Sequence, residues 1–494
     1  MRRVVNALDK LSWRTSAYAV LLLFAATASP LPAQTFATLV KFNGGAAGAA
    51  PNGGLIQGVN GDLYGTTQLG GYNGGGTVFK MTPSGTLTTL YRFCKQPGCP
   101  DGGDPEGVIL ATDGNFYGTT GALDGSIFKI TPAGVLTTLH NFTFVTDGRS
   151  PQGLLQASNG DFYGATAQGG ANAISIFGGT IFEMTPSGTL TTLYSFCSQG
   201  GAECTDGANP SGALVQDTNG DFYGTTAYGG VNNAACVEGS CGTVFRITPA
   251  GALATLYSFC SQPNCADGYE PFGGLVQAID GNFYGVTGGG GANNWGTFFL
   301  ITPGGALTTL YNFDAPTNGG LVQATDGNFY GTTVAGGYGW GTIFQLTPSG
   351  TMTTLYSFCA TNGCADGSEP ILGLVQDTNG DFYGATVEGG LKTNACIYSS
   401  PFDTCGTIFS LSAGLGPFVR TQTTAGRAAA KVKILGTGLT GATSVTFNGT
   451  LAVFQVVSSS EITTTVPAGA TTGIVQVITP GGTLSSNVPF RVLP

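Results

Sequence analysis

Charge is scarce in this 494-residue chain: Asp, Glu, Lys and Arg together make up 9% of it, and there is a single histidine, His140. Each shortage excludes something. With 17 basic residues against 27 acidic ones, a net charge of −10, the chain lacks the electrostatic footprint that DNA, RNA or an anionic membrane requires. That histidine stands where the repeat has the Tyr of "LTTLYSF" and so reads as a strand residue around which no Ser/His/Asp arrangement can be built, no His-based metal site is available, and no Cys-x2-Cys pair suggests a zinc cluster. Collagen is excluded as well, because the 83 glycines do not recur at every third residue. So many glycines with so little charge would suggest low complexity, were 41% of the chain not hydrophobic and patterned. That combination indicates a folded, turn-rich β protein, long enough for several domains or an array of repeated units.

The first 33 residues read as a secretory signal. Arg2, Arg3, Lys10 and Arg14 precede an apolar run from Ala17 to Ala28, and "LPA" at Leu31 to Ala33 offers small residues for cleavage. Cleavage after Ala33 would leave 13 basic and 26 acidic residues, a net charge of −13. No second long apolar run follows, so no membrane-spanning segment is expected after cleavage. The expected destination is outside the cytoplasm: extracellular, periplasmic or on the cell surface. Twelve cysteines fall into six close pairs: Cys94 with Cys99, Cys197 with Cys204, Cys236 with Cys241, Cys260 with Cys265, Cys359 with Cys364, and Cys396 with Cys405. In an exported chain with an even count, six local disulfides that staple loops are the natural reading.

One heptapeptide dominates the middle of the chain. "TDGNFYG" occurs at Thr112 and Thr325, with close variants elsewhere, and its tyrosines lie at 64, 117, 163, 223, 284, 330 and 383. Spacings of 46 to 61 residues suit propeller blades rather than the shorter coils of a β-helix. Each unit, such as "GGLVQATDGNFYGTTVAGGYGWGTIFQLTPSGTMTTLYSF" from Gly319, reads as four short strands. The first two are joined by an Asn-Gly or Asp-Gly hairpin and the last two by Thr-Pro-x-Gly. The seventh unit stops at "GTIFSLSAG" without a fourth strand, whereas "TFATLVKFN" at Thr35 to Asn43 resembles one. The expectation is an all-β fold: a seven-bladed β-propeller over residues 35–413, closed by its N-terminal strand, which hides the sheet edges that an open solenoid would cap differently. From Gly416 the repeat gives way to strand-period alternation, and a small Ig-like sandwich over 417–494 is expected.

The unit "GGLVQATDGNFYGTT...GTIFQLTPSGTMTTLYSF" resembles the GloVer tandem repeat of exported bacterial choice-of-anchor proteins, over about residues 35 to 413. The tail is similar to an IPT/TIG domain in "VKILGTGL", "VTFNG" and "VPAG". The resemblance implies export and attachment to the cell surface, with the tail as spacer or adhesive module, and implies no assigned activity.

If the first strand of each unit is innermost, both tight turns share one face, and the longer loops share the other with all six cysteine pairs. Stapled, variable loops on a rigid ring are where ligand contacts are usually found. Asp-Gly-x-x-Pro recurs there at Asp101, Asp147, Asp206, Asp267 and Asp366, with acidic companions Asp104, Glu270 and Glu369. A ring of carboxylates for Ca²⁺ or for sugar hydroxyls is one reading. The other is that each Asp caps its own turn and the Pro sets the entry to the next blade. "DTNGD" at Asp217 to Asp221 and Asp377 to Asp381 begins like a calcium loop but lacks the downstream Glu and coincides with a hairpin. Trp295, Tyr338 and Trp340, in Gly-rich loops of adjacent units, either stack on a ligand or pack between blades. No catalytic residue, cofactor or resident metal is nominated, and His140 merely replaces the Tyr of "LTTLYSF". The first expectation is therefore a non-enzymatic scaffold that binds a glycan, polymer or surface protein. The alternative is a carbohydrate-active hydrolase or lyase using paired carboxylates near the channel.

Overall fold

The computed structural model describes residues 34–493 apart from 175–176, 200–203, 231–235, 237–240, 318, 361–362, 394–395 and 397–403. The expected secretory signal lies outside the described residues. Strands and short 3₁₀ turns make up the regular structure, with no α-helix among the described residues. The strands form seven successive antiparallel sheets, followed by a separate group at the C-terminus.

Each repeated sheet keeps the order of the sequence. In the third, Arg149–Gln156, Phe162–Gln168, Thr180–Met184 and Leu190–Ser195 pair in turn. The Asn-Gly and Asp-Gly turns form because their side chains complete them: Asn159 Oδ1 accepts the Asp161 N–H at 3.1 Å, and Asp113 Oδ1 accepts that of Asn115 at 3.0 Å. Where the second and third strands begin to splay, a buried hydroxyl pair closes each sheet, as in Thr226 with Thr243 at 2.8 Å and Thr386 with Thr407 at 2.8 Å. In the fifth to seventh sheets the first strand shrinks to two residues, such as Val276–Gln277. The first sheet has its innermost strand broken into Ala49–Pro51 and Ile56–Gln57, separated by Gly53 and Gly54.

The seventh sheet is completed from the other end of the chain. Thr35–Lys41 lies antiparallel to Thr407–Ser412 as its fourth strand, with a register shift between Thr38 and Val40. The fourth strand of the second sheet has its shift at the matching place, between Thr138 and His140. The N-terminal segment therefore reproduces the local geometry of a repeat strand as well as its sequence.

Contacts between sheets explain why the heptapeptide is written so often. Its Tyr ring stacks on the Phe of the next heptapeptide: Tyr64 on Phe116, Tyr117 on Phe162, Tyr163 on Phe222, Tyr223 on Phe283, Tyr284 on Phe329 and Tyr330 on Phe382. The centroid separations run from 4.0 to 4.3 Å. In "NGDLYG" the Phe is Leu63, which shares a buried cluster with Tyr383 of the seventh sheet. A tyrosine so placed must also satisfy its hydroxyl, and the turn residue four positions earlier does this, as in Tyr117 to Asp113 at 3.0 Å and Tyr284 to Asp280 at 2.9 Å. Glutamines at the end of the first strand add a polar tie: Gln216 Oε1 accepts the Ser158 N–H, Gln323 Oε1 that of Ile279, and Gln57 Nε2 reaches Thr378 Oγ1 across the first and seventh sheets. The second sheet has Leu110 at this position.

From Val419 two four-stranded sheets enclose a core of Val419, Ile434, Val445, Phe447, Ile462 and Val477, and Ala425–Arg427 pairs with Arg491–Leu493 in a separate two-stranded parallel sheet. This unit docks on the hairpin face of the repeats. Phe418 N–H donates to Thr378 O at 3.0 Å, Arg420 Nη2 to Gln57 O at 2.9 Å, and Ser460 Oγ to Val59 O at 2.8 Å.

The stacking predicts where stability resides. Phe222→Ala, which removes a fully buried ring from between two sheets, is expected to cost about 3–5 kcal/mol in urea unfolding. Tyr163→Phe, which keeps the ring and loses only the hydroxyl contacts, should cost about 1 kcal/mol. Equal losses from the two variants would contradict stacking as the main contribution.

Candidate functional site

Antiparallel order places the loops between second and third strands, and the connections from one sheet to the next, on the face opposite the docked C-terminal unit. All six disulfides form there with the partners that the spacing suggests. Cys94 bonds Cys99, Cys197 bonds Cys204, Cys260 bonds Cys265 and Cys359 bonds Cys364, each pair within a sheet-to-sheet connection. Cys236 bonds Cys241 and Cys396 bonds Cys405, both within second-to-third loops. In the four connections both cysteines have positive φ, from Cys94 at 58° and Cys99 at 48° to Cys359 at 62° and Cys364 at 47°. A non-glycine residue held there costs roughly 1–2 kcal/mol, so the bond fixes a loop shape that the backbone alone would leave.

The repeated aspartates bond within the same loops, although Oδ1 of Asp101 and of Asp366 is buried with no hydrogen-bond partner. Asp206 Oδ2 accepts from Tyr194 Oη at 2.8 Å and from the Ser198 N–H at 3.0 Å, and Oδ1 takes the Gln199 N–H. Asp267 is bound in the same way by Tyr257 and Ser261, and both aspartates are essentially inaccessible. Asp101 accepts from Tyr91 at 2.9 Å, and Asp366 from Tyr356 at 2.8 Å and the Cys359 N–H. His140 takes the tyrosine's part with Asp147, Nε2 to Oδ2 at 2.7 Å. The hydroxyl-to-carboxylate contact thus ties the fourth strand of the first, third, fourth and sixth sheets to the connection that follows it, as the imidazole does in the second. Burial, together with the neighbouring Asp101 carboxylate, pushes the Tyr91 phenol up to about 12. In "DTNGD", Asp217 Oδ1 receives Gln277 Nε2 at 2.6 Å on the hairpin face. Among the described residues, Cys236, Cys260 and Cys265 bring three sulfurs within 4.8 Å, but disulfide bonding leaves no thiolate for a metal.

The aromatic residues divide. Trp295 is 49% exposed and Tyr338 65% exposed, whereas Trp340 is half-buried and its carbonyl accepts the Glu369 N–H at 3.0 Å. The exposed pair has company. Tyr72, Leu123, Ile174 and Leu391 are exposed in the corresponding loops of the first, second, third and seventh sheets. The fourth sheet's loop lies mostly outside the described residues. Among the described residues, every other such loop therefore presents a large apolar side chain to solvent on a single face.

A second feature lies where the first strands of neighbouring sheets converge. They approach backbone to backbone: a Cβ on Gly53 would lie 2.4 Å from Gly107 Cα, and one on Gly212 would lie 2.7 Å from Gly274 Cα. Only glycine permits that approach. Between these strands is a cavity of about 220 Å³ lined by Gly54, Leu55, Glu106, Val108, Gly153 and Leu154, among others. Glu106 is its one carboxylate among the lining residues, and burial, reinforced by the charge of Asp104, pushes its pKa up to about 7. The position after the repeated Pro is where it stands, and there the repeat breaks: Asn52, Glu106, Gln152, Ser211, Phe272 and Ile371. Sequence reasoning passed over Glu106; the signal was a variable residue inside a constant frame. A larger groove of about 640 Å³, with Lys431, Lys433, Phe454 and Thr112 on its walls, lies between the C-terminal unit and the second sheet's hairpin, on the opposite face.

Comparison with known proteins gives two family matches. The Gloeobacter/Verrucomicrobia repeat matches residues 23–143 and 122–321, and the IPT/TIG domain matches residues 418–492. No curated protein matches the chain. Among solved structures, the extracellular domain of a protein described as a one-component system from B. thetaiotaomicron is similar at 12% identity and a TM-score of 0.48. That match covers 94% of this chain but only 58% of the other. A gluconolactonase from Xanthomonas campestris is 14% identical with a TM-score of 0.37, over 62% of this chain and 89% of its own. The WD40 β-propeller domain of Doa1 is 10% identical with a TM-score of 0.46, over 76% and 97%.

The raised pKa of Glu106 has a measurable consequence. Its carboxyl takes up a proton near pH 7 in the fold but near 4.5 when unfolded, so its ionised form opposes folding above pH 7. That penalty is relieved as pH falls through 7. Glu106→Gln should raise stability by about 1–3 kcal/mol at pH 8, with the gain fading to nothing near pH 4. A gain independent of pH in thermal melts would show that the carboxyl is not desolvated.

Proposed function

The chain belongs to the Gloeobacter/Verrucomicrobia repeat family and carries an IPT/TIG domain at residues 418–492, and from this we propose an exported scaffold that binds a glycan, polymer or surface protein without performing chemistry. Its body is read as a seven-bladed β-propeller closed by the N-terminal strand. Supporting closure are the pairing of Thr35–Lys41 with Thr407–Ser412 and the core that the first and seventh sheets share around Phe42, Leu63 and Tyr383. Supporting export are the six disulfides, which persist in oxidising compartments, and the basic-then-apolar start of the sequence.

The observation that carries the binding reading is the series of exposed apolar side chains, one from each described second-to-third loop, on a face stapled by disulfides. Single exposed hydrophobic residues need no explanation, but a series repeated on one face marks an interaction surface. Trp295 and Tyr338 come from adjacent sheets, and flat rings with a polar edge suit the apolar face of a sugar. The C-terminal unit occupies the opposite face and leaves this one open.

A second reading, a hydrolase or lyase, has one observation in its favour. Glu106 faces the axial cavity with a pKa near neutrality, which suits a general acid, and Asp104 is the neighbouring carboxylate. One experiment separates the two. The protein lacking residues 1–33 is presented to a polysaccharide array, and soluble sugar release is measured on whatever binds. Trp295→Ala and Tyr338→Ala are each expected to weaken binding by roughly tenfold, with no sugar released. Binding unchanged in both variants would remove this face from the proposal, and release abolished by Glu106→Gln would establish the enzyme instead.

A further inference from the structure

One sheet-to-sheet junction departs from the rest. Entering the seventh sheet, Ser368 and Glu388 oppose each other in an isolated antiparallel bridge: the Ser368 N–H donates to Glu388 O at 3.0 Å, and the Glu388 N–H returns to Ser368 O at 3.2 Å. Residues directly opposed in this way project their side chains on one face with Cβ atoms about 5 Å apart, so hydroxyl and carboxylate adjoin. Neither is satisfied. Ser368 is fully enclosed, and its Oγ and Glu388 Oε2 are buried without a hydrogen-bond partner. Glu369 follows directly, with its pKa raised by burial and then by the charge of Glu388, so the two carboxylates are near enough to repel. Neither forms an ion pair with a basic side chain among the described residues.

Equivalent junctions lack this arrangement. Entering the fifth sheet, Tyr269 bridges Gly289 and Glu270 is the only carboxylate; entering the second, Gly103 faces Ala122 beside Asp104. The second carboxylate and the unused hydroxyl occur together only in the seventh among these three, a departure from the repeat that the architecture does not require.

We propose that Ser368, Glu369 and Glu388 form a binding site for a hard divalent cation, with calcium as the best fit. Calcium accepts six to eight oxygen ligands in flexible geometry, and carboxylates, hydroxyls, backbone carbonyls and water all serve. A cation here neutralises two repelling charges and gives the buried oxygens a partner. It also joins the loop that leads to Leu391 to the connection held by Trp340 O, stiffening part of the rim. The site stands independently of the ligand-binding reading.

The test is calcium titration of the protein lacking residues 1–33 after EDTA treatment, followed by isothermal calorimetry and by thermal melts. Wild type is expected to bind one ion saturably and to melt higher as calcium rises. Glu369→Gln and Glu388→Gln, which keep side-chain shape and remove repulsion, should fold and lose affinity by roughly tenfold or more. Glu270→Gln, at the same place in the fifth sheet, should respond as wild type does. Absence of a calcium response in wild type, or a response retained in both seventh-sheet variants, would overturn the site. A rise in melting temperature on acidification alone, with no calcium binding, would show that the pair shares a proton instead.

Discussion

Stacking of one sheet's tyrosine on the next sheet's phenylalanine is the contact on which the other features depend. A four-stranded sheet of such short strands has an apolar face that it cannot bury by itself, and each sheet supplies the lid for its neighbour. Ring pairs at this separation contribute about 1 kcal/mol each beyond the area they bury. The contact also sets the sequence. Phe and Tyr must be adjacent so that they point to opposite faces of the strand, one to each neighbour. Asp or Asn suits the turn because it both makes the hairpin and bonds the tyrosine oxygen, Asp113, Asp280 and Asp326 by accepting from the hydroxyl and Asn159 and Asn379 by donating to it.

With the sheets held by strands and hairpins, the opposite face carries less of the structural duty, and there the repeat divides into more constant and more variable parts. The more constant part is the tyrosine-to-aspartate tie, made in the first, third, fourth and sixth sheets and reproduced in the second by His140 and Asp147 with different chemistry. Its aspartates bond their own loops, with Oδ1 of Asp101 and of Asp366 left unpartnered. The variable part is the residue after each Pro, the tip of each second-to-third loop, and the junction at Ser368 and Glu388. Function is therefore sought where seven equivalent positions stop being equivalent.

Much of this was legible in the sequence. Asn159-Gly160 and Pro186-Ser187-Gly188 announce their hairpins locally, and cysteines five to nine residues apart, from Cys94 with Cys99 to Cys396 with Cys405, have few other partners. "TFATLVKFN" betrayed the strand that joins the seventh sheet because it keeps the pattern of a fourth strand. The aromatic loops were less legible. Trp295 and Trp340 occupy similar Gly-rich contexts, yet one is exposed and the other half-buried, and the next connection bonds the Trp340 carbonyl. Glu106 went unnoticed since nothing local distinguishes it from a solvated glutamate; its cavity is walled by residues from three other sheets.

By itself the sequence determined the repeat, the strands and turns within each unit, the disulfide partners and the change of domain near Gly416, because all of these follow from residues close together in the chain. Only the tertiary structure decided which tips face solvent, which carboxylate is desolvated, and that Ser368 and Glu388 stand opposed with unused oxygens. Those properties arise from strands and loops brought together across tens of residues, where burial and neighbouring charge, rather than local preference, set the chemistry.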